Sequence, residues 1–71
     1  MSDLCNAFRK NLAAEIEKYS GTLVALAYRS GYSVSYLRRI LKDDRKNPTL
    51  LFVECMAKSL GVNPLSLLEE R

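Results

Sequence analysis

Histidine is absent from the chain, and cysteine occurs only twice, at Cys5 and Cys55. Two thiols without an imidazole cannot complete a tetrahedral zinc site. No nucleophile stands beside a plausible base, and there is no glycine-rich phosphate loop or paired-carboxylate motif. Glu15 and Glu17 read as solvated positions on a helix. The chain is therefore not expected to be an enzyme, nor to need a metal or other cofactor. No apolar run approaches the roughly 20 residues that span a bilayer. The opening MSDLCNAFRK lacks the apolar stretch of a secretory signal. A cytoplasmic protein with no membrane partner is expected, its cysteines reduced and packed as small hydrophobes.

What is present is a hydrophobic share of 48%, too high for a disordered chain, within 71 residues. That length has room for one domain, 1–71, with a core small enough that oligomerisation would help it. The net charge is only +3, but its placement is uneven. Between Arg29 and Lys46 stand six bases (Arg29, Arg38, Arg39, Lys42, Arg45, Lys46) against Asp43 and Asp44, a net +4. The remainder holds five bases and six acids, a net −1. Such a concentration is the pattern of an anion-facing surface.

Apolar spacing is helical throughout, and no segment alternates with period two over a useful length. Leu4, Phe8, Leu12, Ile16 and Tyr19 form a stripe on a first helix, stopped at Ser20-Gly21, where glycine can take the left-handed conformation. Thr22 caps a second helix carrying Leu23, Leu26 and Ala27, and Gly31 ends it. Ser33 caps a third, from Val34 to about Leu41. KDDRKNP reads as a loop. Thr49 caps a fourth helix with Leu50, Val53, Met56, Ala57 and Leu60 inward, ended by Gly61. Asn63-Pro64 opens a short fifth helix. The expected fold is all-α, a compact five-helix domain.

The stretch LAYRSGYSVSYLRRIL has the requirements of a helix-turn-helix. Ala27 is small where two helices must cross, and Gly31 supplies a turn residue with positive φ. Leu26 on the first helix and Leu37 and Ile40 on the second dock the pair on the core. The free face of the second helix then carries Val34, Ser35, Arg38 and Arg39. From Thr22 to Leu68, about two-thirds of the chain, the sequence resembles the phage repressor and Cro-type domain, the lambda-repressor-like or XRE family. The resemblance rests on TLVALAYRSGYSVSYLRRIL, the NP after a basic loop, and LLFVECMAKSLGVNPLSLL.

This resemblance implies a sequence-specific regulator of transcription. Its third helix would lie in the major groove of double-stranded DNA, and two copies would sit on a palindromic operator. Carried over, base reading falls on Ser33, Val34, Ser35, Arg38 and Arg39. Arginine can bind guanine O6 and N7 bidentately, and valine can touch a thymine methyl. Phosphate anchoring falls on Thr22, Tyr36, Lys42, Arg45, Lys46 and Asn47, with Tyr28 and Arg29 at the edge of the second helix. Tyr32 and Tyr36 also read as packing residues with wet hydroxyls. The chain departs from the family pattern at Leu23, usually glutamine, at Ala25, often glutamate, and at Asp43, commonly glycine.

Helices four and five carry more apolar residues than one face can bury. Phe52, Leu65 and Leu68 are the expected contacts of a homodimer; the alternative is that they complete the core. With no effector site expected, a Cro-like repressor of a phage or prophage fits, or a restriction-modification controller. The competing class is a protein–protein adaptor on the same fold, such as an antitoxin.

Overall fold

The computed structural model describes residues 3–19, 21–42 and 48–70. Four α-helices follow one another: α1 (Asp3–Lys18), α2 (Leu23–Ser30), α3 (Val34–Lys42) and α4 (Leu50–Leu60). A 3₁₀ turn, Pro64–Leu67, follows α4, and no strand occurs among the described residues. Among them, no helix is long and apolar enough to cross a membrane.

Local chemistry sets most of the boundaries. The hydroxyl of Thr22 accepts from the backbone N–H of Ala25 at 3.1 Å, and that of Thr49 from Phe52 at 3.0 Å. Ser33 Oγ accepts from the N–H of Tyr36 at 3.1 Å, and Asn63 Oδ1 from that of Leu65 at 2.9 Å. Each cap supplies a partner for one of the N–H groups that a helix start leaves without one. Gly31 closes α2 at φ 82°, and its N–H donates to the Ala27 carbonyl at 2.9 Å. A residue with a Cβ would be strained there.

Gly21 departs from the sequence reading, because it is not in the left-handed region. It is small for another reason. A Cβ at this position would stand 2.7 Å from Cε2 of the Tyr19 ring and 3.3 Å from the Ala25 methyl.

One cluster of buried side chains links all five elements, with Phe8 and Leu12 from α1, Leu26 and Ala27 from α2, and Leu37 and Ile40 from α3. Phe52, Val53, Met56 and Ala57 enter from α4, and Leu67 from the 3₁₀ turn. The inward stripe of α4 therefore runs through Phe52, and Leu50, expected inside, is 83% exposed. Leu4, at the start of the α1 stripe, is also exposed. Cys5 and Cys55 are half-buried and form no disulfide.

The expected fifth helix is instead a single 3₁₀ turn, which Asn11 fastens to α1. Asn11 is the one buried polar side chain among the described residues, and its Nδ2 donates to the carbonyls of Leu67 at 3.0 Å and Glu69 at 2.6 Å. The Ser66 carbonyl lies at 3.5 Å from the same nitrogen. These bonds tie the 3₁₀ turn and the residues after it to α1, and Leu67 reaches the core. Leaving those carbonyls without a partner would cost about 1–3 kcal/mol.

Candidate functional site

Helix α3 has the sequence VSYLRRILK, with three cations and no acid. Leu37 and Ile40 are fully or nearly fully buried, which fixes the helix's rotation about its own axis. At about 100° per residue, Ser35, Arg38, Arg39 and Lys42 then fall on the opposite side. All four are exposed. Val34, Tyr36 and Leu41 are half-buried along the two flanks and pack against the core.

No carboxylate among the described residues pairs with the outward cations. Among the described residues, the one ion pair is Lys18 Nζ to Glu15 at 3.7 Å, on α1. No carboxylate stands on α3 or α2. Arg29, on α2, is exposed and engages Tyr19. Its Nη1 donates to the Tyr19 hydroxyl at 3.0 Å, with the guanidinium carbon 6.0 Å from the ring centroid.

Two of the expected base-reading residues differ from the rest. Ser33 is exposed, but it precedes α3 and its Oγ is engaged as the cap. Val34 opens the helix, half-buried on the flank. Of the expected phosphate contacts, Thr22 is exposed and caps α2, and Lys42 lies on the outward face beside Arg39 and Ser35. Tyr36 is half-buried, with its ring in an aromatic cluster. Its ring stacks on Tyr32 at 5.4 Å and meets Phe52 edge-on at 5.3 Å. Arg45, Lys46 and Asn47 lie outside the described residues.

The expected dimer contacts divide. Phe52 is a correction: it is completely buried, enclosed by Phe8 at 6.1 Å, Tyr32 at 4.8 Å and Tyr36 at 5.3 Å. An aromatic ring in that position belongs to the core of one chain. Leu65 is 70% exposed, and Leu68 is half-buried against the core. Both line an apolar groove together with Leu50, Leu51, Val53, Glu54 and Pro64. Sequence reasoning does not single out Leu50 and Leu51 as surface residues. The signal available is the apolar run LLFV, too long for one face of α4 to bury. A second exposed apolar pair, Val24 and Tyr28, lies on α2.

No known family model, characterised protein or solved structure matches the chain.

Proposed function

We propose that this chain is a helix-turn-helix protein that binds double-stranded DNA through α3, in the manner of the repressor and Cro-type domains it resembles. The observation that carries the reading is the outward face of α3, where Ser35, Arg38, Arg39 and Lys42 are exposed on a helix without an acid. Nine residues make a rod of about 13 Å. The major groove of B-DNA is about 12 Å wide and admits an α-helix. Arg39 and Ser35, central on the face, read base edges. Arg38 and Lys42 reach phosphates, joined by the Thr22 hydroxyl and the backbone N–H groups at the start of α2.

A single copy covers one half-site. The groove of Leu50, Leu51, Pro64, Leu65 and Leu68 is the surface we assign to the second copy, replacing the buried Phe52. Covering it would remove from water leucines that the monomer leaves exposed. The function is that of a Cro-like regulator acting on a palindromic operator. The same groove would equally serve the adaptor or antitoxin alternative, in which a different protein occupies it.

Selection of bound sequences from a random duplex pool tests the proposal. The expected product is a palindrome whose half-sites lie one helical turn apart, about 10–10.5 base pairs. Enrichment of no sequence would contradict the DNA-binding reading, and an unrepeated site would contradict the dimeric one.

A further inference from the structure

We propose that Tyr32 is a positioning residue that sets the seating of the N-terminal turn of α3 and thereby the discrimination between DNA sequences. The proposal rests on the duplex-binding reading above. Tyr32 sits in the three-residue connection between α2 and α3, immediately after the left-handed Gly31. Its backbone N–H is 3.4 Å from Ser30 Oγ, at the end of α2. Its ring stacks on Tyr36, in the first turn of α3, with centroids 5.4 Å apart and planes inclined by 18°. The same ring meets Phe52, in the first turn of α4, edge-on at 4.8 Å and 83°. Tyr36 meets Phe52 almost identically, at 5.3 Å and 80°.

The three rings thus form a closed triangle joining the connection, the start of α3 and the start of α4. Phe52 is its fixed corner, completely buried and capped through its own N–H by Thr49. Both tyrosines are half-buried. They stand at the rim of the core, against Phe52, while Leu12, Leu26, Leu37 and Met56 are its fully buried centre. Burial raises the pKa of the Tyr32 phenol above its usual value, and Cys55 and Tyr36 beside it add to the effect.

A leucine or methionine in place of Tyr32 still covers part of Phe52, so the fold should stand while the end of α3 that carries Ser35 loosens. Base contacts need that end held in one geometry, whereas phosphate contacts tolerate small displacements. Affinity for the correct sequence falls by the fraction of molecules in which the end is seated.

The test compares Tyr32→Leu, Tyr32→Met and Tyr32→Phe in the full chain, on the duplex enriched by selection and on a scrambled duplex of equal length. Tyr32→Phe is expected to bind both as the parent does. The Leu and Met variants should lose affinity for the selected duplex on the order of ten-fold. On the scrambled duplex they should stay within about two-fold. Equal loss on both duplexes, or no loss on either by folded protein, would overturn the proposal. So would failure of both variants to fold, which would make Tyr32 a core residue. Arg39→Ala serves as the reference. If it weakens the selected duplex while the Tyr32 variants do not, this inference fails and the DNA-binding reading stands. If selection yields no duplex, the DNA-binding reading itself has failed.

Discussion

Reversing both arginines of α3, Arg38→Glu with Arg39→Glu, is expected to lower duplex affinity by at least about 10³-fold. Two effects combine. Each arginine that grips a guanine edge is worth about 1–3 kcal/mol of discrimination, and each cation withdrawn from a phosphate forfeits its counterion release. Placing carboxylates in the groove adds repulsion. Folding should be nearly unaffected, since both side chains are exposed and no ion pair among the described residues engages them. Surface changes of this kind usually stay within about 0.5 kcal/mol.

The control is an equal charge change elsewhere, Lys10→Glu with Lys58→Glu, on exposed positions of α1 and α4. Titration of labelled duplex, alongside thermal melting of each variant, gives both quantities. Matching losses in the two double variants would show that net charge matters and the α3 face does not. Unchanged affinity in the α3 variant would remove the mechanism and leave the protein-partner alternative.

Phe52→Ala is expected to destabilise the folded chain by about 3–5 kcal/mol, the cost of emptying a buried aromatic site. A domain of this length has a total stability of about 4–11 kcal/mol. The variant should therefore melt at least ~12 °C lower, or be unfolded at room temperature. The loss follows from packing within one chain, so it should not depend on protein concentration. Leu65→Ala, at an exposed position, should change the melting temperature of the monomer by only a few degrees. Circular dichroism melts of both variants over a range of protein concentrations make the comparison. A Phe52 variant that stays folded but loses its concentration dependence would put that ring back at a dimer interface.

These two substitutions fall on opposite sides of what the sequence discloses. The face of α3 is legible because its aliphatic residues, Val34, Leu37, Ile40 and Leu41, all fall on one side of the helix. Once they point inward, Ser35, Arg38, Arg39 and Lys42 must point out. The caps at Thr22, Ser33, Thr49 and Asn63 are legible because each acts on an N–H only two or three residues away.

The phase of α4 is not legible in the same way. Leu50, Leu51, Phe52 and Val53 are all apolar, so periodicity alone permits more than one inward stripe. The choice is made by tertiary partners, the rings of Phe8, Tyr32 and Tyr36, which enclose Phe52. Asn11 is hidden for a related reason. A polar residue on α1 reads as solvated until its acceptors are known, and those lie 55 to 58 positions further along. Gly21 is legible as a stop but not in its cause, because the ring that demands a missing Cβ is a matter of side-chain placement.

If the acid-free outer face of α3 neutralises DNA phosphates, duplex binding must weaken steeply with salt. A dimer contacting about 6–10 phosphates should lose on the order of 10³–10⁵ in affinity between 50 and 200 mM salt. Binding that stays nearly constant over that range would show that α3 does not neutralise phosphates.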